Sequence, residues 1–275
     1  MERIQAAIAK AREERQSLTP APGRAAPAPR VDPETLWAAL PEFLPKPALL
    51  ERNRVMAYHS SPGATAFDIT RTRALRIMQE KGWRRMAVTS PTPACGKSTI
   101  SVNLALSLAR QKDVRAILIE ADMRRPAITS LLGQRTRRSV DELLTGGADF
   151  ADCAVRIGTN LALVTQNQPS HEASDILLAQ KVGAVLADIE ARYAPDIMIF
   201  DTPPLLINDD TLAFLAHLDC ALLVAAAGRT RVNEIDRCER ELSAQTHVLG
   251  VVLNKCRFAS KEYGGYSGYD YYTED

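Results

Sequence analysis

The chain has 275 residues, of which 46% are hydrophobic and 24% are charged, and its formal net charge is +1. These values are typical of a soluble globular protein, and the near-neutral charge gives no reason to expect a nucleic-acid partner. The start MERIQAAIAKAREER lacks the apolar centre of a secretory signal, and the longest apolar run is too short to span a bilayer. We therefore predict a cytoplasmic protein.

Residues 1–62 are predicted to lie outside the main domain. Residues 1–16 place Ile4, Ala7 and Ile8 on one face, which predicts a short amphipathic helix. Residues 17–62 begin with a run rich in proline and alanine and continue with weak periodicity, which predicts an extended linker and an irregular segment. The basic excess of residues 1–30 fits either an acidic partner surface or a solvated helix.

Helical and apolar segments alternate from about residue 65. A helical pattern runs to Lys81 and ends at Gly82. Five apolar runs follow: RMAVTS, RAILIE, DIMIF, CALLVAAA and VLGVVLN. The segment NLALVTQ is a sixth candidate strand. Helical segments lie between them near 98–111, 174–192, 209–217 and 231–245. This alternation predicts a doubly wound, mostly parallel α/β sheet covered on both faces, in a domain spanning residues 63–256.

The first predicted strand leads into TSPTPACGKST, with Gly96, Lys97 and Ser98 at a strand-to-helix junction. Such a loop directs backbone N–H groups toward phosphate oxygens, and the helix N-terminus adds positive potential. The pattern predicts that Lys97 bridges the β- and γ-phosphates of ATP and that the Ser98 hydroxyl ligates Mg²⁺. Pro91 stands where the usual pattern has glycine, so an accidental GKS in a turn is the alternative. The predicted ATP-binding residues of the loop are Pro93, Ala94, Cys95, Gly96, Lys97, Ser98 and Thr99.

Acidic residues end two further predicted strands. Glu120 and Asp122 close ILIEAD, and Asp201 closes IMIFD. Because the carboxyl ends of parallel strands meet at one edge of a sheet, these acids are expected beside the phosphate loop as a metal–phosphate site. Each acid taken singly could instead be a solvated strand end.

The order GKST, ILIEADMRRP, IMIFDTPP and a tyrosine-rich end resembles the bacterial tyrosine kinases (BY-kinases) of capsule and exopolysaccharide assembly. These are P-loop NTPases related to the ParA/MinD ATPases, and the resemblance covers about residues 65–275. Thr92 stands where the ParA/MinD type carries an additional lysine, which favours the kinase branch. The resemblance implies ATP and Mg²⁺ as cofactors, with the metal held by Ser98, Asp122 and Asp201.

The resemblance also implies roles for single residues. Lys97, Asp122 and Asp201 correspond to catalytic positions, and Glu120, which stands where the family usually has aspartate, supports them. Arg124 or Arg125 could stabilise charge on the transferred phosphoryl group, or the pair could be solvated or face another subunit. The related ATPases suggest Asn254 as an adenine contact, although an asparagine at a strand end is often a turn former. Cys95 is interpreted either as a small residue in a tight loop or as a redox-sensitive thiol.

Five of the seven tyrosines lie in the last thirteen residues, within a predicted flexible tail spanning 257–275. The resemblance implies that these residues are phosphoacceptors, modified between subunits: Tyr263, Tyr266, Tyr269, Tyr271 and Tyr272. The tyrosine hydroxyl has a pKa near 10, so a carboxylate, predicted to be Asp122, would orient it and accept its proton. A ParA/MinD-like ATPase switch and a nucleotide-binding adaptor are the alternative functions.

Partners are implied by the resemblance alone. Many BY-kinases are fused to a membrane-anchored domain, so we expect a separate membrane-anchored polysaccharide co-polymerase or chain-length regulator that recruits this chain to the inner face of the membrane. A cognate tyrosine phosphatase is a further candidate partner. Family members form rings through a Glu-x-x-Arg-x-x-Arg pattern, for which this chain has Thr65, Asp68 and Arg71. Only the last residue matches, although a homo-oligomer is still expected and Asp68 could pair with Arg71 between subunits.

Overall fold

The structure is a computed structural model that describes residues 31–256. The predicted helix over residues 1–16 and the predicted tail over 257–275 lie outside the described residues. Within residues 31–256, no helix combines the length and the apolar character needed to cross a membrane.

Helices alternate with strands through most of the described chain. The helices are α1 (Pro33–Ala39), α2 (Pro47–Arg52), α3 (Thr65–Lys81), α4 (Lys97–Ala109), α5 (Ile128–Leu132), α6 (Val140–Leu144), α7 (Phe150–Cys153), α8 (Ala173–Leu178), α9 (Lys181–Tyr193), α10 (Asp210–Leu215) and α11 (Val232–Ser243). The strands are β1 (Arg85–Thr89), β2 (Ala116–Glu120), β3 (Ala154–Ile157), β4 (Leu161–Val164), β5 (Ile197–Asp201), β6 (Cys220–Ala226) and β7 (His247–Asn254). A short 3₁₀ helix, Pro62–Ala64, precedes α3.

The seven strands form one sheet in the order β3-β4-β2-β5-β1-β6-β7. All neighbouring pairs are parallel except β3 with β4, which confirms the predicted doubly wound, mostly parallel fold. The register pairs Val88 with Asp201 and Glu120 with Asp201, so the carboxyl ends of β1, β2 and β5 lie level at one edge. This alignment positions the candidate site.

Each face of the sheet carries its own hydrophobic core. Successive residues of β5 point to opposite sides, so Ile199 packs in one core and Phe200 in the other. Both side chains are fully buried. Because helices cover both faces, the central strands are continuous apolar runs in the sequence rather than alternating ones.

The expectation that residues 17–62 are a linker and an irregular segment was wrong for residues 33–57. Helices α1 and α2 pack onto the domain, and Trp37 is 2% exposed, with its Nε1 donating to the Tyr193 carbonyl at 2.8 Å. Pro33 and Pro47 occupy the first helical position, where proline starts a helix instead of breaking it. Helices of seven and six residues are also too short to give a clear period. The packed domain therefore begins near residue 33, not 63.

Asp68 and Arg71, two of the three residues aligned with the ring-forming pattern, form contacts within the chain. Arg71 Nη1 lies 3.3 Å from Asp68 Oδ1 and donates to the Ser107 carbonyl of α4 at 2.9 Å. Arg110, the residue that follows α4, also contacts Asp68. This cluster ties α3 to α4, the helix that begins at the phosphate loop.

Candidate active site

The phosphate loop joins β1 to α4 and has two residues in the left-handed region. Ala94 has φ 63° and Gly96 has φ 94°. A Cβ at Gly96 would collide with the Asn254 side chain, so only glycine fits there. The loop therefore turns tightly and delivers Lys97 and Ser98 to the first turn of α4.

Lys97 lies between two carboxylates at the end of the sheet. Its Nζ is 2.6 Å from Asp122 Oδ2 and 3.7 Å from Asp201 Oδ1, and all three side chains are buried. Burial lowers the pKa of Lys97, but the two carboxylates outweigh this effect and the net pKa is raised. Lys97 is therefore a fixed positive charge, as the phosphate-binding role requires.

Asp201 is the acid best suited to bind a cation. Its Oδ1 accepts a hydrogen bond from Ser101 Oγ at 3.2 Å, whereas the buried Oδ2 has no partner among residues 31–256. Burial raises the pKa of Asp201 although Lys97 opposes the rise. Two carboxylates against one ammonium leave an excess of negative charge, with the Ser98 hydroxyl 3.3 Å from Lys97 Nζ.

These donors fit Mg²⁺, which prefers carboxylate and hydroxyl oxygens and keeps ligands from water and phosphate. The described residues contain no group of three His, Cys, Asp or Glu side chains that could enclose a metal alone. The candidate metal residues Ser98, Asp122 and Asp201 would therefore need nucleotide phosphate or water to complete the coordination.

A cavity of about 480 Å³ opens in front of these residues, a size suited to a small-molecule ligand. It is lined by Pro93, Ala94, Gly96, Lys97, Ser98, Thr99, Asp122, Arg124, Arg125, Ala127, Leu131, Pro203, Pro204, Ile207 and Asn208. The structure thus brings six of the seven predicted loop residues together with Asp122 at one cavity. Cys95 is the loop residue that does not line it.

Cys95 is buried on another side of the loop. Its Sγ lies 3.6 Å from Thr230 Oγ1 and 3.7 Å from Thr92 Oγ1. Burial raises the pKa of the thiol, but the hydrogen bonds from Thr230 and Thr92 outweigh it and leave the pKa lowered. The side chain is positioned to pack the loop and not to touch a ligand in the cavity.

Asn254 supports the phosphate loop from the end of β7. Its Nδ2 donates to the Cys95 carbonyl at 2.9 Å, and Lys255 Nζ donates to the Ala94 carbonyl at 2.6 Å. Asn254 does not line the cavity, and its contact with adenine stays a prediction. The sequence did not predict a role for Lys255. Only its position directly after a strand-end asparagine could have indicated that it lies near the phosphate loop.

Glu120, predicted to support Asp122, does not line the cavity, and its carboxylate instead accepts hydrogen bonds from the backbone. Its Oε1 accepts from the backbone N–H groups of Ala127 and Ile128 at 2.5 and 2.6 Å, and Oε2 accepts from that of Gln166 at 2.9 Å. Burial raises the pKa of Glu120 to about 7 although these donors oppose the rise. The longer side chain thus holds the segment after β2 against the segment after β4.

The two adjacent arginines have different surroundings. Arg124 forms a bidentate pair with buried Asp210, through Nε to Oδ2 at 2.6 Å and Nη2 to Oδ1 at 3.0 Å. The Arg125 backbone N–H donates to Asp122 Oδ1 at 3.1 Å, but its exposed side chain forms no ion pair or hydrogen bond within residues 31–256. Asp210 was missed from the sequence because acids near a turn are usually solvated.

Comparison with known proteins identifies the family. A sequence model of the ParA family, described as NUBPL iron-transfer P-loop NTPase, matches residues 84–268. The tyrosine-protein kinase CpsD of Streptococcus pneumoniae serotype 4 is 30% identical over 183 residues, which cover 65% of this chain and 79% of that protein. The chain belongs to the bacterial tyrosine kinase family. This BY-kinase membership, within the ParA-type P-loop NTPases, confirms the resemblance drawn from the motifs.

Other BY-kinases match the chain over part of their own length. The putative tyrosine-protein kinase EpsB of Ralstonia solanacearum is 30% identical over 213 residues, covering 77% of this chain and 28% of EpsB. The chain thus spans a little over a quarter of this relative. Among solved structures, the kinase domain of the Escherichia coli tyrosine kinase ETK superposes with a TM-score of 0.66 at 26% identity, covering 77% of this chain and 82% of that one. The VpsO kinase domain gives 0.62 at 29% identity, covering 70% and 94%.

Proposed function

We propose that this BY-kinase is an ATP-dependent protein-tyrosine kinase that phosphorylates its own C-terminal tyrosine cluster between subunits. The observation that carries the proposal is buried Lys97, held between Asp122 and Asp201 at the mouth of a cavity beside the phosphate loop. The names of the related kinases from Ralstonia and Streptococcus support the same reaction class.

The transfer follows from the charges in the site. ATP phosphates reach the N-terminus of α4 and draw Lys97 Nζ toward the β- and γ-phosphates, which releases Asp122. The freed carboxylate orients a tyrosine hydroxyl and accepts its proton as the phenolic oxygen bonds to the γ-phosphorus. The bond from that phosphorus to the ADP oxygen breaks. Mg²⁺ held by Ser98, Asp122 and Asp201 would neutralise phosphate charge when bound.

We infer the biological role from the names of the relatives. ExoP of Rhizobium meliloti, named a succinoglycan biosynthesis transport protein, is 35% identical over 191 residues, covering 68% of this chain and 24% of ExoP. We place this kinase in the same kind of system, regulating exopolysaccharide or capsule polymerisation and export. Its partners would be a membrane-anchored co-polymerase that recruits it to the inner face of the membrane, further copies of itself, and a cognate tyrosine phosphatase.

The test is phosphotyrosine formation by the purified full chain with Mg-ATP, alone and with the cytoplasmic segment of a co-polymerase. Phosphate is expected on the tail, and replacing all five tail tyrosines by phenylalanine should abolish the signal. Lys97→Met should abolish it without unfolding the protein, as circular dichroism would verify. ATP hydrolysis without phosphotyrosine in both conditions would favour an ATPase switch, and neither activity would favour an adaptor.

A further inference from the structure

The cavity lining includes an apolar patch beside the phosphate loop and Asp122. The residues of this patch follow β2 and β5, which both lie on the same side of β1 in the sheet. They are Ala127, Leu131, Pro203, Pro204 and Ile207. Asp122, the carboxylate proposed to orient the acceptor hydroxyl, also follows β2, so the patch and Asp122 lie on the same side of β1.

Ile207 gives this patch an exposed apolar surface. It is 57% exposed, although it belongs to a loop whose neighbour Leu205 is buried. Pro203 and Pro204 hold the backbone of the loop stiffly beside it. A large apolar side chain at the mouth of a cavity gains by covering a flat aromatic ring, and Leu131 lines the same space.

A cation stands next to this apolar surface. Arg124 is neutralised by Asp210, so its charge is already compensated. Arg125 lines the cavity with an exposed guanidinium that no carboxylate of residues 31–256 neutralises. A free guanidinium pairs readily with a carboxylate, and does so with two parallel hydrogen bonds where geometry allows.

The chain itself supplies a segment with the complementary pattern. In its last residues, Asp270 stands between Tyr269 and Tyr271. We propose that Ile207 and Leu131 contact the ring of the acceptor tyrosine while Arg125 pairs with an acidic residue next to it. The kinase would then select tyrosines flanked by a carboxylate. This inference rests on the proposed function, because it names the substrates of that same site.

Two peptides test the selection. Both span residues 265–273 with Tyr266→Phe, Tyr271→Phe and Tyr272→Phe, which leaves Tyr269 as the sole acceptor. One keeps Asp270 and the other carries Asp270→Asn. The enzyme is the full chain with its five tail tyrosines replaced by phenylalanine, so that its own tail gives no phosphotyrosine, and peptide phosphorylation is measured on the separated peptide. An exposed ion pair contributes up to about 1 kcal/mol, so we expect a kcat/KM ratio of about three to five in favour of Asp270.

Variants of the enzyme assign that ratio to its residues. Arg125→Ala should bring the kcat/KM ratio to about one, and Arg125→Glu should invert it. Arg137→Ala, which removes another exposed arginine, should leave the ratio unchanged. Ile207→Ser should raise KM for both peptides equally, since the ring contact does not depend on charge, and Ile207→Leu should retain the wild-type KM. Equal kcat/KM values for the two peptides, or a preference that survives Arg125→Glu, would overturn the proposal.

A binding measurement separates this inference from the proposed function. The affinity of each peptide is measured with Mg²⁺ and a non-hydrolysable ATP analogue present. Tighter binding of the Asp270 peptide that Arg125→Ala removes supports the selection even if no phosphotyrosine forms, in which case the kinase proposal alone fails. Equal binding together with equal turnover rejects the selection and leaves the kinase proposal intact.

Discussion

At the scale of single residues, Asp201 combines complete burial with an unsatisfied oxygen. A buried carboxylate without a full set of partners costs free energy in the folded state, and such costs persist where a ligand is to be bound. Lys97 compensates part of the charge at 3.7 Å, and a divalent cation would compensate the rest. Function and stability therefore make opposite demands on this residue.

Asp201→Asn should separate those demands. We expect Mg²⁺-dependent ATP affinity to fall at least about tenfold, because the amide cannot supply the negative charge that a hard cation prefers. Thermal stability should be equal or higher, since a buried charge is removed. Titration calorimetry with and without Mg²⁺, and thermal unfolding, would measure both. The control is Asp236→Asn, which makes the same change at an exposed position. Unchanged ATP affinity in Asp201→Asn would contradict the metal assignment.

Glu120 should make folding stability depend on pH. Its pKa is raised from 4.5 to about 7 in the folded protein, so the folded state binds the proton more tightly than the unfolded state. The resulting stabilisation is complete below pH 4.5 and is lost as the pH rises through 7, by about 3 kcal/mol at about 1.4 kcal/mol per pKa unit. Glu120→Gln has no carboxyl proton to lose, so its free energy of unfolding should fall by about 3 kcal/mol less than that of the wild type as the pH rises from 4.5 through 7. Urea unfolding at a series of pH values measures both, and an equal fall in wild type and Glu120→Gln would refute this assignment.

The sequence could predict Lys97, Asp122 and Asp201 because strand ends in a parallel sheet converge whatever the surrounding side chains do. It could not predict the direction of Glu120 or Asn254. Both are also the last residues of strands, but backbone groups far away in sequence bind their side chains: the N–H of Gln166 in one case and the carbonyl of Cys95 in the other. Such capture depends on tertiary packing, which no local pattern encodes.

At the scale of elements, the phosphate loop depends on the end of a strand that never contacts the cavity. The left-handed conformation of Ala94 is unfavourable for a residue with a Cβ, and Asn254 and Lys255 hold carbonyls of the loop in place. We therefore expect strand β7 to influence nucleotide binding through the loop backbone.

Removing that brace should weaken ATP binding without unfolding the domain. Asn254→Ala and Lys255→Ala each delete one side-chain hydrogen bond to the loop, so we expect ATP affinity to fall about threefold to tenfold while thermal stability changes little. The exposed lysine in Lys81→Ala serves as the matched control. Fluorescence titration with an ATP analogue measures the effect, and wild-type affinity in both variants would show that the loop keeps its shape unaided.

Helix α1 should be essential to stability. Trp37 is 2% exposed and contacts Tyr193 edge-on, with ring centroids 6.4 Å apart. Trp37→Ala should cost about 3–5 kcal/mol through lost burial and the cavity left behind. Leu44→Ala, at a position 71% exposed, should cost little. Chemical denaturation provides the comparison, and equal midpoints for the two variants would mean that α1 is only loosely attached.

The long, strongly periodic elements were predictable from the sequence, and the short ones were not. α3 ends at Gly82 as predicted because a left-handed C-cap at φ 70° favours glycine. Strand β3 was missed, since its four residues include a half-buried arginine and it pairs antiparallel at the sheet edge. Local patterns are strongest where an element has enough residues to repeat them.

At the scale of the whole molecule, one sheet is shared by two cores, so neither core can be lost alone. Alternate residues of the same strands fill both sides, and losing either layer would expose the sheet face that it covers. The domain should therefore unfold cooperatively despite having two separate hydrophobic clusters.

The two tryptophans of the chain can test this cooperativity. Trp37 belongs to one core, and Trp83 packs against the other. Trp37→Phe and Trp83→Phe each leave a single fluorescent reporter. In each single-tryptophan variant we expect the fluorescence transition to coincide with the transition followed by circular dichroism. A fluorescence midpoint that differs from the circular-dichroism midpoint in either variant would mean that the two faces unfold separately.

The 2.6 Å pair between Lys97 and Asp122 has a kinetic consequence. While the pair is closed, the carboxylate that would accept the tyrosine proton is already occupied by an ammonium. An acceptor that arrives before the nucleotide therefore meets no competent base. Under the proposed kinase mechanism such a complex stays unproductive until ATP draws Lys97 away from Asp122, so the nucleotide controls when a bound acceptor can react.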